Sequence, residues 1–328
     1  MASLLHALLR MTNFKNPFLR TFVPAVGLIY GLQIGVAIPS IIAQSERFYD
    51  VSGSLTYLAA TGLSLYLPAI RARAAAASAG MPVPPLPSLL APFSNPSAVL
   101  NWRQVILSAA VSVWATRLGS YLFERVLKEG KDSRFDEIKK SPPRFLTAWI
   151  AQGTWVTLCT LPVLAINSVP SAALRAVPGS VRATDAIGLS LFLLGFGFEV
   201  VADRQKAKWA SEKRAKVHDE QFMTRGLWTV SQYPNYFGEI SLWTGIATVA
   251  AGALRTQPIQ SAIGLGGGVG GITAAAAMSY ISPLFAYLLL TKVSGIPMSE
   301  KKYDKKFGDR KDYQEWKKNT PRLIPKLL

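Results

Sequence analysis

Long apolar runs, separated by polar and basic segments, are the main pattern along this chain. Several of them approach or exceed the roughly 20 residues that an α-helix needs to cross a bilayer. Only helices and closed barrels satisfy their backbone hydrogen bonds inside lipid, so the pattern predicts an all-α, polytopic membrane protein with about seven spans. The predicted spans are 22–42, 51–70, 105–123, 146–166, 186–201, 236–253 and 272–291.

The segments between these runs suggest an organisation into parts. Residues 1–21 form a basic N-terminal segment, and 22–70 form a predicted transmembrane hairpin. Residues 71–100 are rich in Ala and Pro and are predicted to be a connector, extended near its prolines. The remainder, 101–328, is predicted to be one membrane domain with a basic tail. Within it, 203–217 is polar and is expected to extend the preceding span as a helix.

Composition supports a membrane protein and predicts its orientation. Only 17% of the 328 residues are charged, against about 25% in soluble domains. Lys and Arg concentrate in 123–145, 203–225 and 292–328, which carry seven, seven and eleven of them. Two spans separate each segment from the next, so all three are expected on the cytosolic side. No nucleic-acid-binding motif is present, and nucleic-acid binding is not predicted.

The N-terminus does not fit this arrangement. Three predicted spans before residue 123 place it opposite the basic segments, yet residues 1–21 carry Arg10, Lys15 and Arg20 and no acid. Either the N-terminus is lumenal against the positive-inside rule, or one early span is not a span. The same cations give the segment a faint likeness to a mitochondrial presequence. An endoplasmic reticulum membrane is nevertheless the expected location.

Several further features do not suggest a site. The one cysteine, Cys159, lies in a predicted span and is interpreted as a packing residue. His6 and His218 lie in distant segments, so no zinc or other metal site is predicted. Residues 264–271 contain the pattern G-x-G-x-x-G, but no acid follows at the spacing of a dinucleotide fold. Close helix packing or a turn is the preferred interpretation of these glycines.

The segment 226–239, GLWTVSQYPNYFGE, is the strongest candidate for a site. It joins a basic segment to an apolar run, so Asn235, Tyr236 and Glu239 are expected at the mouth of a membrane helix. A carboxylate and an amide at that depth are unfavourable unless they bind something. The alternative is a purely structural role at the start of the helix. Asn235 would then only help to cap the first turn after Pro234, and Glu239 would only interact favourably with the helix dipole.

Two more segments combine aromatic and basic residues. In 114–135, Arg117 and Tyr121 are four residues apart and are expected to share a helix face, which Arg125 extends. In 294–325, aromatic residues that include Tyr313 alternate with lysines and arginines. Rings beside cations suit an adenine and its phosphates, but they suit a headgroup region equally well. Composition alone favours the membrane surface for this tail.

Four sequence blocks together resemble a known family. They are WATRLGSYLFERVLKEGKDSRF, FEVVADRQKAKW, GLWTVSQYPNYFGEISLWTG and SGIPMSEKKYDKKFGDRKDYQEWKKNTPRLIP. Over roughly residues 100–328 the chain resembles the DUF1295 proteins of the steroid 5α-reductase-like superfamily. Sterol C14-reductases and isoprenylcysteine methyltransferases are more distant relatives. The resemblance implies a membrane-embedded NADPH-dependent reductase acting on an apolar substrate, with a hydride and a proton added across an activated double bond.

The resemblance also implies roles for particular residues. Asn235, Tyr236 and Glu239 match an Asn-aromatic-x-Gly-Glu motif that holds the nicotinamide half of the cofactor. Asp203 and Lys206 match polar positions that line the cofactor pocket. A carboxamide needs both a donor and an acceptor, which an amide and a carboxylate can supply.

Two tyrosines complete the implied site. Tyr313 matches a cofactor-contacting tyrosine, and Tyr121 resembles one that polarises a substrate carbonyl and donates the proton. A buried tyrosine hydroxyl is suited to that work, because charge builds on the carbonyl oxygen as the double bond is reduced. Tyr121 also fits an ordinary interface-belt position, and Lys206 fits an ordinary positive-inside charge.

Two departures from the family pattern leave alternatives open. Many relatives carry Arg-His before Pro-Asn-Tyr, where this chain has Gln232 and Tyr233. The N-terminal hairpin also lacks the Gln-Glu dyad of steroid 5α-reductases, so a 3-oxosteroid substrate is not expected. The loss of the Arg-His pair weakens the expectation of a membrane methyltransferase that uses S-adenosylmethionine, which stays the alternative enzyme class. It also permits a catalytically inactive lipid-binding or scaffold protein.

Overall fold

A computed structural model describes residues 2–95, 97–129, 132 and 134–326. These residues are mostly helical and contain no β-strand, which confirms the predicted fold class. The longer helices are α1 (Ala2–Met11), α2 (Pro17–Ile42), α3 (Tyr49–Ser78), α5 (Trp102–Glu129), α6 (Pro142–Ser168), α8 (Ala183–Arg214), α9 (Pro234–Leu254), α11 (Gly268–Leu288), α12 (Gly295–Phe307) and α13 (Lys311–Asn319). Shorter ones are α4 (Ala91–Ser94), α7 (Ser171–Arg175) and α10 (Gln257–Ile263). A 3₁₀ turn spans Gly226–Thr229, and a π-helical segment, Leu289–Val293, joins α11 to α12.

By length and composition, six helical segments of the described chain are candidate membrane spans. They are Pro17–Ile42, Trp102–Leu127, Pro142–Ser168, Ala183–Arg214, Pro234–Leu254 and Gly268–Phe307. The predicted span 51–70 is missing from this set because α3 is too polar. Its hydroxyl side chains at Thr56, Thr61 and Ser64 are buried inside the protein, which explains how α3 tolerates them.

Two compact units divide the chain: one comprises Met1–Arg182 and Val249–Ile281, the other Ala183–Thr248 and Ser282–Leu328. The predicted boundary after residue 70 falls inside α3, which continues to Ser78. The stretch predicted to be an extended connector therefore starts as helix, and its irregular part begins near Gly80. The hairpin of α2 and α3 belongs to the same unit as α5 and α6.

In the first unit, α2, α3, α5 and α6 pack against one another. One end of this bundle is built from rings and ion pairs. Tyr49 contacts Phe135 and Trp149 edge-on or tilted, with ring centroids 4.7 and 5.0 Å away. Lys139 donates to the Glu46 carboxylate at 2.8 Å. These contacts place the segment after α5 beside the turn between α2 and α3.

The opposite end of the bundle holds the N-terminal segment. Arg71, near the C-terminus of α3, donates to the carbonyl oxygens of Leu9, Thr12 and Arg20 at 2.6, 2.9 and 3.2 Å. Helix α3 thus runs from one end of the unit to the other, antiparallel to α2. Packing therefore favours α3 as a crossing even though its composition is too polar, since the polar groups face protein. The N-terminus then lies opposite the segment that follows α5.

The glycine-rich stretch 264–271 is a turn between α10 and α11. Gly264 ends α10 with φ 74°, and Gly266 and Gly267 follow with φ 76° and 74°. Residues with a side chain rarely adopt this left-handed backbone conformation, so glycine suits each position. The described residues contain no strand before the stretch, and the interpretation as a turn is the one that fits. Cys159 is fully buried in α6, as expected of a packing residue.

We expect labelling of single cysteines in a Cys159→Ala background to show which side of the membrane each segment faces. In sealed microsomes, Lys213→Cys and Lys305→Cys should react with an impermeant maleimide, because both basic segments are predicted to be cytosolic. Lys15→Cys should be protected until the membrane is opened, because α3 adds a crossing. Lys131, in the basic segment 123–145, lies outside the described residues.

Labelling of Lys15→Cys together with the other two would show that α3 does not cross. Protection of Lys213→Cys or Lys305→Cys alone would contradict the span count after residue 183.

Candidate functional site

The second unit is organised by a close antiparallel contact between α8 and α9. A Cβ atom placed on Gly195 would lie 2.6 Å from the Leu242 backbone nitrogen. One on Gly238 would lie 2.6 Å from the Glu199 nitrogen, and one on Gly245 would lie 2.4 Å from the Gly188 oxygen. No side chain fits at these distances. Small residues let membrane helices approach until their backbones touch, and this contact fixes their relative register.

That register brings two predicted site residues together. The Asn235 side-chain amide donates from Nδ2 to Asp203 Oδ1 at 3.2 Å. With its nitrogen presented to Asp203, the amide directs its oxygen elsewhere. Among the described residues, Asn235 Oδ1 is buried and has no hydrogen-bond partner. The structure thus holds an oriented acceptor that no part of the described chain uses.

Among the described residues, four buried carboxylates belong to this helix pair: Asp185 at the start of α8, and three at or within one turn of the contact between Asp203 and Asn235. Glu199 and Asp203 are one turn apart on α8, with exposed fractions of 2% and 4%, and Glu239 on α9 is 8% exposed. Carboxylates at such depth are unfavourable unless they interact with a partner or a ligand. Within the part of the chain that the structure describes, no group of three or more His, Cys, Asp or Glu side chains is placed to hold a metal ion.

The next turn of α8 is held by the 3₁₀ segment. Trp228 donates from its ring nitrogen to the Ala202 oxygen at 3.1 Å, and Gln205 accepts from the Leu227 amide at 2.9 Å. Lys206 lies over the Trp228 ring, 4.6 Å from its centroid, in a cation–π contact. Lys206 is therefore fixed one turn beyond Asp203 instead of extending freely from the surface.

Gly226 makes this arrangement possible for two reasons. Its φ is 58°, in the left-handed region, and a Cβ atom there would lie 2.5 Å from the Gln205 side chain. Any other residue would strain the turn and displace Gln205.

Tyr236, the aromatic residue of the predicted motif, is half-buried in the first turn of α9. Its ring stacks on Tyr233 with centroids 5.7 Å apart and planes 3° from parallel. A Cβ atom on Gly295 would lie 2.7 Å from the Tyr236 ring, so the start of α12 packs directly on it. Burial, followed by the negative charge of Glu300, raises the pKa of Tyr233. Its hydroxyl therefore stays protonated.

Gln232, one of the departures from the family pattern, binds the C-terminal tail. Its side-chain amide nitrogen, Nε2, donates to the Lys317 and Thr320 oxygens at 2.9 and 2.6 Å. Its backbone nitrogen donates to the Pro321 oxygen at 2.9 Å, and Ser231 Oγ donates to the Leu323 oxygen at 2.8 Å. The tail is thus held along the segment that enters α9.

The aromatic residues of the tail are packed against one another and not along a surface. Phe307 and Tyr313 are 5% and 4% exposed and form a cluster with Phe222, flanked by Tyr303 and Trp316. The tail was expected to lie on the membrane surface, but these rings are buried by contacts within the protein. Their apolar area is therefore removed from water without a membrane.

Tyr313 is part of that cluster. Its hydroxyl donates to Asp304 Oδ1 at 2.8 Å, and Lys317 donates to both Asp304 oxygens at 2.8 Å. Burial, followed by the hydrogen bond to Asp304, raises the pKa of Tyr313. The hydroxyl is therefore engaged inside the cluster, and a cofactor contact by Tyr313 stays a prediction.

Tyr121, the predicted proton donor, lies on α5 in the first unit, whereas the other predicted site residues lie in the second. The Arg117 guanidinium lies over its ring, 5.3 Å from the centroid, as expected for two residues on one helix face. Arg125 on the same helix pairs with Asp50 at 3.7 Å. The catalytic role of Tyr121 stays a prediction.

Two residues of the site were not identified from the sequence. Glu199 is deeply buried in the α8–α9 pair, and it stands four residues before Asp203 in an apolar run. An intramembrane carboxylate at helical spacing from another was the signal that could have found it. Trp228 had no such signal, because its contact with Lys206 depends on how the 3₁₀ turn folds back on α8.

Comparison with known proteins identifies one family. A family model described as "Protein of unknown function (DUF1295)" matches residues 83–266 and 268–320. The match covers most of the chain and all of the α8–α9 segment. No curated protein and no solved structure matches this chain.

Replacement of Gly195 by alanine should destabilise the protein, because the new Cβ atom has no space between α8 and α9. We expect a loss of about 1–3 kcal/mol in the free energy of unfolding, the usual effect of overpacking. Thermal unfolding in detergent measures it. The matched control is Gly197→Ala on the same helix, where a Cβ atom meets nothing within 4 Å. Equal stability of the two variants would contradict the backbone contact.

Replacement of Gln232 by alanine should release the tail, because two carbonyl oxygens lose their donor. The effect on tail docking should be about 2 kcal/mol, the scale of two hydrogen bonds. Limited trypsin digestion, followed by mass spectrometry, should show faster cleavage after Lys317, Lys318 and Arg322. Gln221→Ala, which removes only a bond to the nearby Asp219 oxygen, is the control and should leave the rate unchanged.

Proposed function

This chain belongs to the DUF1295 family, and we propose that it is a membrane-embedded, NADPH-dependent reductase of a carbon–carbon double bond in an apolar lipid, sterol or enone. Its proposed location is the endoplasmic reticulum membrane. The observation that carries the proposal is the unused, buried Oδ1 of Asn235, fixed in direction by the bond from Nδ2 to Asp203.

The residues around Asn235 fit a ligand that carries a carboxamide. Such a group has an N–H donor for Asn235 Oδ1 and a carbonyl oxygen that accepts from other donors. Glu239 is one turn further along α9 and offers a second acceptor on the same face. A buried acceptor that has no hydrogen-bond partner costs about 1–3 kcal/mol of free energy. A ligand that places an N–H donor next to Asn235 Oδ1 is therefore favoured over one that places an apolar group there.

The surroundings also fit the rest of a dinucleotide. Lys206, one turn beyond Asp203 and held over Trp228, offers a cation at the point where α8 leaves the apolar run. The tail carries further lysines and arginines next to this segment of the chain, anchored through Gln232. Cations in these positions suit phosphate groups, and the 2′-phosphate of NADPH in particular.

The chemistry divides between cofactor and protein. NADPH supplies the hydride when it is bound, and the protein has to bind and orient it. In this proposal Asp203 holds Asn235, Asn235 and Glu239 set the plane of the carboxamide, and Lys206 binds phosphate. Tyr121 keeps the proposed role of proton donor to the substrate. Gln232 has a structural role in the tail, so the absence of the Arg-His pair is compatible with an active enzyme.

Binding of NADPH to variants of α9 tests the proposed site. Asn235→Ala removes the oriented acceptor and Glu239→Gln makes an acceptor into a mixed donor and acceptor. Each should weaken NADPH binding by about 1–3 kcal/mol, the scale of a hydrogen bond to a charged group. Isothermal titration on protein purified in detergent measures the affinities. Tyr121→Phe is the matched comparison: cofactor affinity should hold while turnover of an enone substrate falls.

Three results would count against the proposal. Equal NADPH affinity in wild type, Asn235→Ala and Glu239→Gln would contradict the assignment of the site to these residues. Heat for S-adenosylmethionine with none for NADPH would favour a methyltransferase. Binding of neither, together with lower thermal stability of Asn235→Ala, would favour a role in helix capping within an inactive scaffold.

A further inference from the structure

A cavity of about 770 Å³ opens at the N-terminal end of the first unit. Its walls come from α1, the start of α2, the C-terminal half of α3, and short stretches near residues 100 and 170. The volume lies within the roughly 300–1,000 Å³ of typical ligand pockets. None of the residues assigned to the reductase site lines it, so a ligand in this cavity does not depend on the proposed function.

The lining of this cavity combines cations with apolar walls. Arg10, Arg20 and Arg71 line it together with His6, and no aspartate or glutamate among the described residues does. Most of the remaining wall is hydrocarbon from Leu, Pro, Ala and Val side chains. A pocket with several positive charges, no acid and a long apolar wall is complementary to a ligand with an acidic head and a hydrocarbon body.

The hydrogen bonds of Arg71 do not neutralise its positive charge. Its guanidinium donates to the carbonyls of Leu9, Thr12 and Arg20 and to the Thr12 hydroxyl, all of them neutral oxygens. Its Nε is buried and has no hydrogen-bond partner among the described residues. A partly buried cation that contacts only neutral acceptors is favoured further by an anion nearby.

The position of the cavity suits a lipid. Leu8 and Met11 on α1 are 51% and 79% exposed, and Val99 on the cavity wall is 66% exposed. A short helix with exposed apolar residues and an arginine in its last turn is typical of a helix lying at a membrane interface. The mouth of the cavity then faces the headgroup region, where phospholipids present their phosphates.

We propose that this cavity is a binding site for an anionic amphiphile. Arg10, Arg20 and Arg71 hold the acidic head, and the acyl chain lies against the apolar wall formed by α3 and the residues near Leu100. Phosphate is the headgroup chemistry that best suits several guanidinium groups, because Arg binds it through paired hydrogen bonds.

The test uses the full-length protein in a neutral detergent, with native mass spectrometry to count bound lipid and thermal unfolding to measure stabilisation. The probes are phosphatidic acid, phosphatidylcholine with the same acyl chains, and inorganic phosphate. Phosphatidic acid should bind and raise the unfolding temperature, whereas phosphatidylcholine should do so at least about tenfold more weakly. Equal binding of the two lipids would overturn the role of charge. Inorganic phosphate binding as tightly as phosphatidic acid would overturn the role of the apolar wall.

Variants locate the binding in this cavity. Arg71→Gln alone is unsuitable, because Arg71 also ties the N-terminal segment to α3. The double variant Arg10→Gln/Arg20→Gln should weaken phosphatidic acid binding about tenfold or more, the effect of losing charged hydrogen bonds. Arg73→Gln is the matched control, since Arg73 is also on α3 but does not line the cavity. An unchanged affinity in the double variant, or an equal loss in the control, would rule the site out.

Discussion

The second unit depends on one contact, the approach of α8 and α9 until their backbones touch. Gly195, Gly238 and Gly245 lack the side chains that would keep the helices apart. Because the contact leaves no space, it permits one register, and in that register Asp203 meets Asn235. A shift by one residue would move Asn235 away from Asp203 and leave its amide nitrogen without a partner. The glycines therefore determine the direction in which Asn235 presents its oxygen.

The tail shows how a departure from a family pattern can acquire a structural role. Gln232 uses its amide nitrogen to donate to two backbone oxygens of the tail, those of Lys317 and Thr320. The tail then brings Tyr313 and its neighbours into an aromatic cluster, with Asp304 accepting from Tyr313 and Lys317. Basic residues in the tail are thus partly committed to holding it in place.

The first unit separates two kinds of charge at its two ends. Beside the turn between α2 and α3, acids and bases pair, as in Glu46 with Lys139 and Asp50 with Arg125. At the N-terminal end, Arg71 contacts neutral oxygens, and the nearby cavity is lined by arginines without acids among the described residues. Paired charges stabilise a fold, whereas unbalanced ones mark a place where a ligand of opposite sign is favoured. One end of the unit is therefore neutralised by its own ion pairs, whereas the other favours a ligand with negative charge.

The sequence by itself was enough to predict the class of protein, its family and most of the polar candidate site residues on α8 and α9. A membrane-spanning helix satisfies its backbone hydrogen bonds within one continuous segment. An apolar run of sufficient length is therefore enough to predict it. Helix α3 was harder, because its buried hydroxyl groups lower its apolar content without exposing it to lipid. Only the tertiary structure decided which side chains meet. The contact of Asp203 with Asn235, the burial of Glu199, the docking of the tail on Gln232 and the cavity beside Arg71 all join residues from different helices or distant segments. Such contacts depend on helix register and packing, which a one-dimensional pattern of residue types does not specify.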